Sequence, residues 1–203
     1  QAGSWPDEDN EYLKPWRAKL HSPDNPAAAE AALTQAMDRH RAGDLAGAHD
    51  LYLAAANLAP HDPAIPHLLG VLLHQIGRGA EGLTAIERAI AMAPAVAPYH
   101  FNHANVLLGL DRAAEARAAF ARALDLDPAL SPARAWLAND ALTRGDYPAA
   151  REHFTVLVEA PDATAQSWTG LALATHALGD AAGALPAFRR ARALAPDDIA
   201  ALN

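Results

Sequence analysis

Ten histidines and four serines are among the side chains with which this chain could do acid–base or nucleophilic chemistry. His67 and His74 stand seven residues apart and would share one face of a helix, while His100 and His103 stand three apart on the next such element. At those spacings two imidazoles can meet a single metal ion. Neither pair has a carboxylate at helical spacing, so the expectation is histidines that line a surface or cap a helix, with no metal bound. Ser4, Ser22, Ser131 and Ser167 lie outside any nucleophile-elbow context, and no glycine-rich phosphate loop or HExxH-type pair is present. The chain has no cysteine, hence no thiol nucleophile, thiolate metal site or disulfide framework. These residues point to binding, with no catalytic group and no cofactor.

Bulk properties narrow the class of partner. A net charge of −8 and a pI near 5.6 oppose a sequence-independent grip on nucleic acid, which needs clustered Lys and Arg to displace counterions from phosphates. No apolar run approaches the roughly 18 residues that span a bilayer, and no signal-peptide pattern opens the sequence. A cytoplasmic location is favoured, with a periplasmic one after signal removal as the alternative. The apolar share of 51% is rich in alanine and aromatics make up only 6%, which suits closely crossing helices better than a sheet of β-branched residues.

The elements that would carry these side chains show in the prolines. Pro60, Pro94 and Pro128 are 34 apart, Pro196 lies two such steps further on, and Pro161 flanks the missing member at Asp162. Blocks 29–62, 63–96, 97–130, 131–164 and 165–198 follow without insertion, the mark of a helical repeat array. Each block reads as two helices, because apolar residues recur every three to four positions, as in Leu68, Leu69, Leu72, Leu73 and Ile76, then Leu83, Ile86 and Ile90. Gly43, Gly77, Gly145 and Gly179 mark the end of the first helix in four blocks, where a left-handed residue is wanted, and Asp111 takes that place in the third. The closing proline ends the second helix.

This pattern resembles the tetratricopeptide repeat. Its second-helix signature of alanine, aromatic, alanine and proline stands as Ala48, Tyr52, Ala55, Pro60, as Ala116, Phe120, Ala123, Pro128, and as Ala184, Phe188, Ala191, Pro196. The second block departs with Gly82 and Ile86, and the fourth has Ala150, Phe154 and Leu157. The first-helix signature is clearest in Leu69-Gly70 and in Trp168 with Leu171-Ala172. The resemblance implies an all-α, right-handed α-solenoid of five helix–turn–helix repeats over residues 27–198, which binds a protein or peptide in its concave groove.

It also implies that the first helices line that groove, through outward positions that include His67, Val71, His74, Phe101, Asn102, Asn105, Trp136, Asn139, Leu142 and His176. Met37, His40, Arg41, Gln75 and Leu173 belong to the same set. Chaperone-binding members clamp a terminal carboxylate pair with lysine and arginine. Here Phe101, Ala135, Trp136 and Gly170 hold those places, so no such clamp is expected. The run from Tyr99 to Leu107 looks instead like the asparagine-bearing helices in the repeat region of O-linked N-acetylglucosamine transferases, where asparagines hold an extended peptide by its backbone. A carboxamide suits that task because it both donates and accepts. The rung is present at Asn105 and Asn139 and replaced by Met37, Val71 and Leu173.

Two segments fall outside the array. Residues 1–26 carry Trp5, Tyr12 and Trp16 among acidic residues and four prolines, and read as a leader, a cap or a self-ligand that docks an aromatic on the solenoid. Residues 199–203 form a short tail. Such arrays commonly precede enzymatic domains, so the alternative to a free-standing scaffold is the substrate-docking domain of a larger glycosyltransferase, sulfotransferase or hydroxylase. A self-associating scaffold is the third reading.

Overall fold

The computed structural model describes residues 25–195; the expectations for residues 1–24 and for the tail lie outside them. Ten helices run through the described residues, with no strand among them. They are α1 (Pro26–Arg41), α2 (Leu45–Leu58), α3 (Ala64–Gln75), α4 (Gly79–Met92), α5 (Ala97–Gly109), α6 (Ala113–Leu126), α7 (Ser131–Thr143), α8 (Tyr147–Glu159), α9 (Ala165–Ala177) and α10 (Ala181–Leu194). The chain forms two compact units, Gln1–Ala95 with Gly109–Asp111, and Val96–Leu108 with Arg112–Asn203. In the first, α1 packs on α2 and α3 on α4; in the second, α8 packs on both α7 and α9, and α9 on α10.

Local chemistry ends each helix where the sequence calls for it. Gly43, Gly77, Gly145 and Gly179 have φ between 76° and 87°, and Asp111, at φ 59°, is the one non-glycine with positive φ among the described residues. The next amide reaches back to close the turn, as when Arg78 N donates to the Leu73 carbonyl at 2.8 Å and Asp146 N to the Ala141 carbonyl at 2.9 Å. Second helices stop at Leu58, Met92 and Leu126, each two residues before a proline.

The second helices start in two ways. Asp44, Asp146 and Asp180 each cap with the side chain, accepting from Gly47, Ala149 and Gly183 amides at 3.0, 3.3 and 2.7 Å. In the two intervening repeats the same place holds Arg78 and Arg112, which grip Glu81 and Glu115 bidentately at 2.6–2.7 Å. The swap is paired: a carboxylate cap is followed three residues on by Gly or Ala, an arginine by Glu. A Cβ on Gly183 would collide with the Asp180 carboxylate that folds over it.

Alanines fill the crossings and one large ring plugs each of three repeats. Tyr52, Phe120 and Phe154 are at most 1% exposed, and Ala36 and Ala48 sit beside Tyr52 as Ala138 and Ala150 sit beside Phe154. In the second repeat both crossing positions are glycine. A Cβ on Gly70 would lie 2.7 Å from the Gly82 carbonyl oxygen, and one on Gly82 equally close to that of Gly70, so α3 and α4 approach more closely than alanine permits.

Candidate binding surface on the first helices

The odd-numbered helices carry the expected groove residues, and their environments divide them. Asn139 on α7 and His176 in the last turn of α9 are exposed, as are Met37 and Leu173, at 37% and 43%. Val71, His74, Asn102, Asn105 and Leu142 are half-buried. Leu142 packs with Ala135 against the core around Phe154. His67 is buried at 8% exposure, and burial pushes its pKa down to about 4, so its imidazole is neutral at physiological pH.

Two of the expected groove aromatics turn toward the core. Trp136 stacks on Phe120 with centroids 4.7 Å apart and planes at 29°, and Phe101 meets the same ring edge-on at 5.6 Å. Both remain half-buried, so each presents only part of its ring to solvent. One repeat later the place of Trp136 is taken by Gly170, and the Phe154 ring occupies the space a side chain there would need.

Hydrogen bonding removes further candidates from the free surface. His40 Nε2 pairs with Gln75 Oε1 at 2.7 Å while Nδ1 meets the Tyr52 hydroxyl at 3.2 Å, so these two groove positions tie adjacent repeats together. Arg41 pairs with Asp38 at 2.8 Å. Asn139 donates Nδ2 to the Ala135 carbonyl of its own helix at 2.8 Å, which leaves its side-chain carbonyl as an acceptor. Asn139 lines a cavity of about 250 Å³ with Leu157, Gln166 and Ser167, bounded by Thr164, whose hydroxyl accepts from the Ser167 amide at 3.2 Å. Polar groups of both kinds thus surround an apolar floor within one unit.

Asp140, next to Asn139, anchors the turn of that repeat. Arg117 donates to both its oxygens, at 2.6 and 3.1 Å, and Arg144 to one at 2.8 Å. The Arg117 bonds, with that of Arg144 behind them, hold the Asp140 carboxyl below its ordinary 3.8. Among the described residues no group of three or more His, Asp or Glu side chains is placed to hold a metal ion.

Two further cavities were not foreseen from the sequence. One of about 500 Å³ lies between α2 and α4, and one of about 590 Å³ lies between α6 and α8. The signal for them in the sequence is the repeat-to-repeat variation on the second helices.

A family model described as Tetratricopeptide repeat matches residues 67–131 and 137–199, more than half of the chain. No curated protein matches it. Among solved structures the chain is similar to the protein YrrB, at 18% identity and TM-score 0.71, over 95% of this chain and 96% of that one. It is similar to MamA of Desulfovibrio magneticus RS-1, at 16% identity and TM-score 0.69, over 82% and 94%. The first repeat domain of Spaghetti (RPAP3) aligns at 17% identity and TM-score 0.57, over 61% and 97%. At these identities the likeness shows the fold, an all-α solenoid of helix pairs.

Proposed function

Because the chain belongs to the tetratricopeptide-repeat family, we propose that it is a scaffold that binds an extended polypeptide along its first helices, without catalysis and without a cofactor. Its repeats run 29–62, 63–96, 97–130, 131–164 and 165–198, preceded by a non-repeat segment. The observation that carries this reading is the cavity beside Asn139, where a carboxamide acceptor, the Gln166 amide and the Ser167 hydroxyl stand over an apolar floor. An extended peptide offers unpaired N–H and C=O groups every residue, and such a surface satisfies them without reading sequence.

Similar proteins support the class of ligand. YrrB is a tetratricopeptide-repeat protein with an unusual peptide-binding site, and the Spaghetti domain was solved bound to an HSP90 peptide. The ligand set we propose is, in the second unit, Asn105 and Asn139 as backbone partners with Asn102, Leu142, Leu173 and His176 and the exposed edges of Phe101 and Trp136, and, in the first unit, Val71 and His74. His67, buried and neutral, brings no charge to that set. The net charge of −8 favours a protein partner over nucleic acid.

Selection from a random phage-displayed peptide library tests this, followed by titration of the Asn105→Ala, Asn139→Ala double variant. Each lost hydrogen bond costs about 0.5–1.5 kcal/mol, so the double change weakens binding roughly tenfold or more with the unfolding midpoint unmoved. Undiminished affinity would remove the asparagines from the mechanism. A library that yields no binder would remove the function.

A further inference from the structure

The cavity between α2 and α4 has an apolar interior of Ala56, Ile65, Leu69, Leu73 and Ala85, with Leu53 at its exposed mouth. At its rim Arg78 is neutralised by Glu81. Arg88 is not: among the described residues its guanidinium meets the Pro60 carbonyl, at 3.1 Å, and no carboxylate. Two repeats on, the cavity in the same register between α6 and α8 carries Ala121, Arg134, Ala141, Glu152 and His153 where this one has Leu53, Pro66, Leu73, Thr84 and Ala85. The cavity of the first repeats is thus the more apolar of the two, and Arg88 stands beside it without a carboxylate among the described residues. That combination fits an aromatic side chain with carboxylates close behind it in sequence.

We propose that this cavity seats the chain's own N-terminal segment, with the Trp5 indole in the apolar interior and the run Asp7, Glu8, Asp9 against Arg88. Trp5 is the aromatic of that segment followed, after Pro6, by an acidic run; Trp16 is followed by Arg17 and Lys19. The volume, about 500 Å³, is that of a pocket for a small ligand and accommodates an indole with the adjoining Pro6. Reach is ample, since the twenty residues from Trp5 to Asn25 extend to about 66 Å and α1, where they end, packs on α2. A tether of this length holds the segment at roughly millimolar effective concentration, so an intrinsically weak contact is populated. The inference does not depend on the peptide-binding reading of the first helices.

A photo-reactive benzophenone side chain installed at position 5 of the full chain tests it. Irradiation should give cross-links within one molecule, at monomer mass, to residues 53–56 of α2 and 84–88 of α4. In Arg88→Glu, and separately in Leu53→Arg at the exposed mouth, the yield should fall at least threefold while the thermal midpoint stays put. Cross-links to the first helices, cross-links found only between two molecules, no cross-link at all, or a yield indifferent to Arg88→Glu would each overturn the proposal.

Discussion

Phe154 fills the space that a side chain on Gly170 would occupy, and its ring is 1% exposed there. One repeat earlier the same relationship is reversed: Trp136 stands where Gly170 does and lies flat on Phe120, 4.7 Å between centroids. Gly170→Ala should therefore destabilise. The helix gains about 1 kcal/mol from losing a glycine, but overpacking a filled core costs roughly 1–3 kcal/mol. A lower urea midpoint is expected, and Phe154→Leu introduced with Gly170→Ala should cost less than the two single changes added together, because the smaller side chain vacates the space.

Gly82→Ala should also destabilise, although alanine stands at the matching places Ala48, Ala116, Ala150 and Ala184. The added carbon would lie 2.7 Å from the Gly70 carbonyl oxygen, backbone that moves only if α3 and α4 separate. A loss of about 1–3 kcal/mol in chemical unfolding is the expected outcome. An increase in stability would mean that the two helices separate at no cost.

Acid should unfold the protein in two stages. His67, with its pKa pushed down to about 4 by burial, contributes stability that is complete above 6.5 and is lost as pH falls from 6.5 toward 4, on the order of 2 kcal/mol. His153, lowered first by burial and then by the Arg134 charge, adds in the same direction. Asp140, held below 3.8 by Arg117 and Arg144, contributes stability present above 3.8 and lost only as pH falls further. Thermal midpoints measured from pH 7 to pH 3 should show the upper slope flattened in His67→Phe and retained in Asp140→Asn.

Asp180→Ala removes the side-chain acceptor from the first turn of α10 and should cost about 1 kcal/mol. Hydrogen exchange should speed up at Gly183 and its neighbours and leave α8 unchanged.

Much of the fold was legible because it depends on short-range chemistry. The left-handed turn at four glycines and at Asp111, the helix ends two residues before Pro60, Pro94 and Pro128, and the alanine crossings are each decided within a few residues, and the period of 34 repeats the decision. The surface was legible only as a set of candidate positions. Which of them face solvent depended on the neighbouring helix: Phe120 draws Trp136 and Phe101 inward, Gln75 engages His40, and burial takes His67 from the surface, while Asn139 stays outside and bonds its own helix. The α2–α4 cavity was likewise hidden, because it is the gap left between side chains on three helices. A gap has no residue of its own in the sequence, and only tertiary packing sets its volume and the charge at its rim.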